Sequence, residues 1–249
     1  MVATNHARQY DPRAPLIVIG AGRSGSTVLA NILDAHPAIS FQRETNFLGA
    51  KLWDLVWAHR SWYNWQSLPE AAVGERVAAG LADSLATIFV ADPGRSHWGF
   101  KEVWNGSVNH RHPWEIYDRL FPEATWLHLV RHPLEFAASC AAWMRDELTV
   151  SYLEDRLADW VSMVEYSRKR KTRPHFHEVR YEDLIVRPRD CLSPVLDNMG
   201  LSWSEACETP LRKKFLASQR DNQKEASVFE RFRRPRRLAE LAASLAYDV

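Results

Sequence analysis

The stretch from Pro15 to Pro37 constrains the fold more than any other part of this 249-residue chain. Its apolar run Leu16–Ile19 is typical of a short buried strand, and the apolar residues from Ser26 onward recur at helical spacing. Between the two lies a glycine-rich segment, Gly20–Gly25, which we call the glycine loop. The sequence therefore predicts a strand, a glycine loop and a helix in immediate succession.

A loop of this kind points backbone N–H groups and a helix N-terminus at one place, which favours an anion and most often a phosphate. Gly20, Gly25 and Thr27 match the nucleotide-binding pattern G-x-x-x-x-G-K-[ST], but Ser26 stands at the lysine position. Arg23 is the cation that the loop itself offers. The alternative is a simple tight turn between a strand and a helix. The many glycine and hydroxyl residues favour the phosphate interpretation.

Length and composition predict one globular domain at 15–249 after a polar extension at 1–14. A net charge of +1 argues against a general nucleic-acid or membrane surface, and no apolar run approaches the ~20 residues of a membrane span. The three cysteines form no C-x-x-C pair, and His175 and His177 lack the further ligands that a metal site needs. We therefore expect a cytoplasmic protein without a bound metal.

Strand and helix patterns alternate along the chain. After the first strand, further strands are predicted at Ala38–Phe41, His97–Val103, Thr125–Val130 and Phe176–Tyr181. Such alternation is typical of an α/β fold, here a single P-loop-like domain with a central parallel β-sheet flanked by helices on both faces. Ligands of these folds bind at the carboxyl edge of the sheet.

Candidate site residues follow the predicted strands at this edge. Lys101 lies near the end of its strand, where it is either an edge-strand lysine that discourages aggregation or a catalytic group. Arg131 ends the next strand just before a helix N-terminus and is placed for a second anion. Ser139 lies eight residues further on, about two helical turns, and is expected on the same side.

Two other segments each allow two interpretations. Trp62, Tyr63 and Trp65 either line an acceptor pocket, since flat rings with a polar handle suit sugars and phenols, or pack in the core. The arginine-rich segment Arg231–Arg237 is either a solvated face or a mobile loop that folds over a polyanion.

Taken together, these segments resemble the sulfotransferases that use 3′-phosphoadenosine-5′-phosphosulfate (PAPS). Arg23–Thr27 resembles the 5′-phosphosulfate loop of that family, and Leu129–Pro133 continuing to Ser139 resembles its 3′-phosphate motif. Trp98–Lys101 and Val179–Leu184 match two weaker family signatures in the expected order. The resemblance spans most of the chain, from about Pro15 to Gly200.

Within the family, the chain is most similar to the tyrosylprotein and carbohydrate branch, whose loop begins with arginine. In tyrosylprotein members a glutamate follows shortly after the His-Pro that ends the loop's helix, and here Glu44 follows His36–Pro37 in this way. The resemblance implies that Glu44 is the general base and that Lys101 and Arg23 stabilise charge during transfer. It implies PAPS binding, with adenosine 3′,5′-bisphosphate (PAP) as product, by Gly22, Arg23, Ser24, Gly25, Ser26, Thr27, Arg131, Ser139 and Tyr181.

The chain also departs from the family pattern at three positions. Gly22 stands where proline is common, Ser26 where threonine is common and His132 where aspartate is common. The first two keep the chemistry of the loop, whereas the third alters the surroundings of the 3′-phosphate motif. The expected acceptor is a hydroxyl group of a small molecule or carbohydrate.

Two competing functions remain. A P-loop kinase would require the loop lysine together with a magnesium-binding hydroxyl and aspartate. A non-catalytic nucleotide-binding protein would have no need of Glu44 and Lys101 beside the donor site.

Overall fold

The fold is built on one parallel sheet. Its strands are β1 (Leu16–Ala21), β2 (Ile39–Gln42), β3 (His97–Trp104), β4 (Thr125–Val130) and β5 (Phe176–Arg180), and they lie in the order β2-β3-β1-β4-β5. The computed structural model describes residues 9–45, 48–58, 70–104, 113–212 and 222–249. The predicted α/β fold with a central parallel sheet is confirmed.

Helices connect the strands and follow the last of them. They are α1 (Ser26–Asp34), α2 (Leu48–Ala58), α3 (Glu70–Phe89), α4 (Pro113–Leu120), α5 (Pro133–Met144), α6 (Val150–Arg168), α7 (Tyr181–Val186), α8 (Pro188–Asn198), α9 (Asn222–Arg231) and α10 (Arg236–Ala243). A 3-10 helix spans Glu205–Arg212 between α8 and α9. In the described part of the chain, no helix is both long and apolar enough to cross a membrane.

Strand β1 lies at the centre of the sheet and is buried along its whole length. It pairs with β3 on one side, where Leu16 faces Gly99, and with β4 on the other, where Leu16 faces Thr125. Connections leave the sheet in opposite directions from this centre, and in such sheets the crevice beyond the carboxyl ends of the strands takes the ligand. The ends of β1, β3 and β4 therefore define the candidate site.

Hydrophobic clusters cover both faces of the sheet. Successive side chains of a strand point to opposite faces, and along β1 the pair Ile17 and Ile19 belongs to one cluster while Leu16 and Val18 belong to the other. The first cluster includes buried residues of α3, α4, α6 and α10, and the second includes those of α1 and α8. This arrangement explains why β1 reads as a continuous apolar run rather than an alternating one.

Two local predictions differ from the structure. The last strand ends at Arg180, and the residues from Tyr181 form the short helix α7, whose first turn carries the acidic pair Glu182 and Asp183 that favours a helix N-terminus. The sequence also predicts a helix from Ser204 to about Ala217, whereas the described residues Glu205–Arg212 form a 3-10 helix that contains Pro210, which lacks an N–H group.

The predicted polar extension at 1–14 contributes two contacts through its described residues. Tyr10 belongs to the hydrophobic core and packs at 6.5 Å against the ring of Trp98. The indole N–H of Trp98 donates to the carbonyl of Asp11 at 2.8 Å. The domain boundary at Pro15 stays a prediction.

Candidate active site

The glycine loop and the N-terminus of α1 form the base of the site. Gly25 is the N-cap of α1 with φ of 92°, and among the described residues no side chain caps this N-terminus. The N–H group of Val28 already donates to the Gly25 carbonyl at 2.9 Å, so the first two N–H groups of the helix, those of Ser26 and Thr27, are the ones that suit an anion. A Cβ atom on Gly25 would lie 2.1 Å from the ring of Tyr181, so glycine is required both for the positive φ and for this close approach.

The hydroxyl residues of the loop divide into two sets. Ser24 and Ser26 are buried, whereas Thr27 is exposed on the first turn of α1. Gly22 is also buried, and Arg23 adopts a positive φ of 66° with an exposed side chain. The loop therefore presents Arg23 and Thr27 to the crevice from a rigid base.

Lys101 joins this loop to the segment after β2. Its Nζ donates to Thr27 Oγ1 at 3.2 Å and lies 2.6 Å from Glu44 Oε1. The lysine side chain is 3% exposed, whereas that of Glu44 is 64% exposed, so a buried cation meets a carboxylate at the mouth of the crevice. Since β3 lies between β2 and β1, the edge-strand interpretation of Lys101 is wrong.

Glu102, next to Lys101, anchors the segment that carries Glu44, and sequence reasoning missed it. Its buried carboxylate accepts hydrogen bonds from Thr45 Oγ1 at 2.5 Å and from the Tyr117 hydroxyl at 2.6 Å. Burial, with the charge of Glu102, raises the pKa of Tyr117 well above its usual value, so the phenol keeps the proton it donates. The available signal was a carboxylate inside a buried strand, which requires partners.

Arg131 forms a second cationic position beside the loop. Its Nη1 donates to the carbonyl of Arg23 at 3.2 Å, its Nη2 donates to Glu135 Oε2 at 3.3 Å, and its guanidinium lies 5.0 Å from the ring centre of Tyr181. The Nε of Arg131 is buried and has no hydrogen-bond partner among the described residues. An unsatisfied guanidinium N–H of this kind fits an anion that accepts from it.

Ser139 lies on α5 and is buried. In the described part of the chain, no hydrogen bond joins it to Arg131, so its predicted role stays a prediction. The neighbouring thiol of Cys140 has its pKa raised to about 11 by burial. It is therefore not a thiolate at neutral pH and does not offer a nucleophile.

The side chain of Arg23 lies against α5. Its guanidinium lies 5.7 Å from the ring centre of Trp143, an exposed residue that sequence reasoning did not select. The structure thus brings Lys101, Glu44 and Thr27 together on one side of the loop, and Arg23, Arg131 and Tyr181 on the other.

The remaining predictions concern other parts of the chain. Trp62, Tyr63 and Trp65 lie outside the described residues. Within the described ranges no group of three or more metal-ligating side chains occurs. In the arginine-rich segment, Arg237 pairs with Glu165 on α6, and Arg236 pairs with Glu240 at 2.7 Å on its own helix. These pairs agree with the solvated-face interpretation.

The family model described as the sulfotransferase family matches residues 15–205. Protein-tyrosine sulfotransferase 2 of Gallus gallus is 27% identical over 216 residues, which cover 82% of this chain and 56% of that protein. The chain thus spans about half the length of the curated relatives it matches.

Solved structures share the fold. The sulfotransferase domain of the olefin synthase from Synechococcus PCC 7002 superposes with a TM-score of 0.63 at 21% identity, covering 99% of this chain and 98% of that one. Mouse sulfotransferase SULT7A1, solved in complex with PAP, superposes with a TM-score of 0.51 at 14% identity, covering 80% of this chain and 63% of that one.

Proposed function

The chain belongs to the sulfotransferase family, and from this premise we propose that it transfers the sulfuryl group of PAPS to a hydroxyl group of an acceptor. The donor is PAPS and the nucleotide product is PAP. The observation that carries the proposal is the position of Lys101, whose Nζ joins the glycine loop, through Thr27, to the carboxylate of Glu44.

The donor presents two anionic groups, and the site offers two anion positions to match. The N-terminus of α1, which no side chain of the described residues caps, suits the 5′-phosphosulfate because its N–H groups and helix dipole favour negative charge. The buried Nε of Arg131, which has no hydrogen-bond partner among the described residues, suits the 3′-phosphate, and Tyr181 packs between these positions. Ser139 completes the second position by resemblance. The residues present therefore fit PAPS.

Transfer then takes place in line. The acceptor oxygen attacks sulfur as the bond from sulfur to the 5′-phosphate oxygen breaks, giving a sulfate ester and PAP. Glu44 accepts the proton that the acceptor hydroxyl loses, since it lies exposed at the mouth of the crevice. Lys101 and Arg23 stabilise the negative charge that develops on the sulfuryl oxygens and on the leaving phosphate.

A P-loop kinase is disfavoured by the contact between Lys101 and Thr27. In P-loop kinases the loop hydroxyl at this position binds Mg²⁺. Here that hydroxyl accepts from an ammonium group at 3.2 Å, and a cation so close repels a divalent ion. In this protein Lys101 supplies the positive charge that Mg²⁺ supplies beside the loop hydroxyl of a P-loop kinase.

The acceptor is a hydroxyl group of a small molecule or carbohydrate. The name of the Gallus gallus relative adds protein tyrosine as a competing acceptor. An exposed base at the crevice mouth suits either class, because it does not require the acceptor to be fully enclosed.

Two measurements test the proposal. Labelled PAPS, supplied with a panel of phenols, sugars and tyrosine-containing peptides, should give a labelled sulfate ester with at least one of them. In thermal-shift titrations PAP should stabilise the protein far more than ATP with magnesium does. Equal stabilisation by both nucleotides, or transfer of phosphate from ATP, would favour the kinase instead.

A further inference from the structure

The backbone that carries Arg131 is held by side chains from other elements. The carbonyl of Arg131 accepts from the indole N–H of Trp160 on α6 at 3.0 Å. The next N–H, that of His132, donates to Glu182 Oε1 on α7 at 2.9 Å. Both bonds are made by the single peptide group between Arg131 and His132, so they fix the backbone on the C-terminal side of the Arg131 Cα.

Tyr247 completes this support from the far end of the chain. Its hydroxyl donates to the other carboxylate oxygen of Glu182 at 2.8 Å and lies 3.3 Å from the carbonyl of Val130. Its buried ring lies 4.3 Å under the guanidinium of Arg180 and packs edge-on against His132 at 5.3 Å. Burial and the neighbouring Glu182 raise the pKa of Tyr247, so the phenol keeps the proton it donates.

His132 makes a second bond to the same segment. Its ring Nε2–H donates to the carbonyl of Asp248 at 2.8 Å. An aspartate, which is common at this position in the family, has no N–H group and would not make this bond. The histidine at this position thus ties the loop after β4 to the segment Ala246–Asp248.

The segment reaches this place through α10, which is anchored on α6. Arg237 of α10 pairs with Glu165, and the hydroxyl of Ser244 accepts from Arg168 at 2.7 Å. The chain then turns back through Ala246, whose φ of 55° lies in the left-handed region. This conformation is unfavourable for a residue other than glycine, and the turn it makes directs Tyr247 toward Glu182.

We propose that the segment Ala246–Asp248, which we call the clasp, positions Arg131 for the 3′-phosphate of the donor, and that Tyr247 is a positioning residue for donor selectivity. The inference rests on the proposed function, because it assumes a ligand with a 3′-phosphate. Tyr247 acts through Glu182 and the backbone of Val130–His132, so it contributes to the 3′-phosphate position and not to the glycine loop.

The test compares two nucleotides that differ in the 3′-phosphate. Calorimetry measures the affinities for PAP and for adenosine 5′-phosphosulfate, which lacks that group, in the wild type and in Tyr247→Phe. The variant loses a charge-assisted hydrogen bond to Glu182, so PAP should bind about tenfold more weakly while adenosine 5′-phosphosulfate changes by less than about twofold. Tyr10→Phe, a buried tyrosine that packs on Trp98 instead, is the matched control and should leave both affinities unchanged.

A second pair of variants keeps the test informative if Tyr247→Phe folds poorly. His132→Gln retains an N–H donor for the carbonyl of Asp248, whereas His132→Asp does not. The aspartate variant should therefore lose more of the preference for PAP than the glutamine variant does.

The outcomes separate the clasp from the proposed function. If the wild type does not bind PAP, the proposed function fails and the clasp fails with it. If the wild type prefers PAP but the variants weaken both nucleotides equally, or weaken neither, PAPS binding stands and the clasp is refuted.

Discussion

Replacing Lys101 by methionine should reduce turnover far more than it reduces stability or donor affinity. Methionine keeps an unbranched side chain in a position that is 3% exposed and removes the ammonium group. The groups that lose a partner are Glu44 Oε1, 2.6 Å from Nζ, and Thr27 Oγ1, 3.2 Å from Nζ. Both Glu44 and Thr27 are exposed and regain hydrogen bonds from water.

The magnitudes follow from these exposures. Because the Glu44 side chain is 64% exposed, the ion pair is screened by solvent, and its loss should change the free energy of unfolding by about 1 kcal/mol or less. By contrast, a preorganised cation that meets charge developing in the transition state is worth about 3 kcal/mol, or about 100-fold in kcat. The catalytic effect should therefore exceed the effect on stability by about 2 kcal/mol.

The assay follows sulfate ester formation from labelled PAPS with an acceptor taken from the panel, while calorimetry gives the PAP affinity. Lys171→Met is the matched control, since Lys171 is half-exposed and lies 3.6 Å from Glu178, away from the glycine loop. The control should turn over as the wild type does. Turnover of Lys101→Met within about twofold of the wild type would refute the proposed role of the lysine in stabilising transition-state charge, because loss of such a cation should lower kcat about 100-fold.

Four further outcomes are expected. Glu44→Gln, which preserves size and hydrogen bonding, should lower kcat about 100-fold and leave PAP affinity unchanged, as the loss of a general base does. Arg131→Ala should weaken PAP binding by a few kcal/mol and leave that of adenosine 5′-phosphosulfate nearly unchanged. Turnover should survive metal chelators. The free energy of unfolding should fall as pH drops below 6.5. Burial lowers the pKa of His128 in the folded protein, although the neighbouring Glu178 opposes this shift. The unfolded chain therefore binds the proton at a higher pH than the folded protein does, which favours unfolding.

Each of these outcomes has a contrary result. Near-normal turnover of Glu44→Gln at neutral pH would exclude that residue as the base. Equal loss of both nucleotides in Arg131→Ala would indicate misfolding or a different role, and a strict magnesium requirement would count against the mechanism. For the pH prediction, urea unfolding at pH 7.5 and pH 5.5 is compared between the wild type and His128→Gln. If the free energy of unfolding of His128→Gln falls between pH 7.5 and pH 5.5 as much as that of the wild type, His128 is not the group responsible.

Much of the site could be predicted because the strands are parallel. When every strand runs the same way, the residues that follow their ends meet at one edge of the sheet. Local patterns therefore sufficed to bring the glycine loop and Arg131 to one crevice, and the bounds predicted for β4 are those observed. Lys101 lies within β3, opposite Val18, and reaches the loop through its side chain. The order of the strands was not predictable from these patterns. It places β3 inside the sheet, and it excludes the edge-strand interpretation of Lys101.

The parts that sequence reasoning missed depend on distant partners. Glu102 accepts hydrogen bonds from Thr45 and Tyr117, which lie in two different parts of the fold, and no local sequence spacing predicts either contact. Tyr247 reaches Glu182 across 65 residues and the Val130 carbonyl across 117 residues. The arginine-rich segment Arg231–Arg237 that precedes Tyr247 does not indicate that the chain returns to the loop after β4. Such contacts follow from tertiary packing, which period and composition do not encode.

The source of the cation decides what the glycine loop is suited to bind. A lysine within the loop would extend past the helix N-terminus to the outer phosphates of a triphosphate. Lys101 instead approaches from β3, beside the loop, and its Nζ meets the first turn of α1 at Thr27. In the proposed function, a donor with a single 5′-phosphate would place its transferred group against that first turn, where Lys101 would lie beside both this group and Glu44, the proposed base. Under the proposed function, the missing loop lysine and the lysine on the neighbouring strand both suit a short donor whose second anion would be held by Arg131.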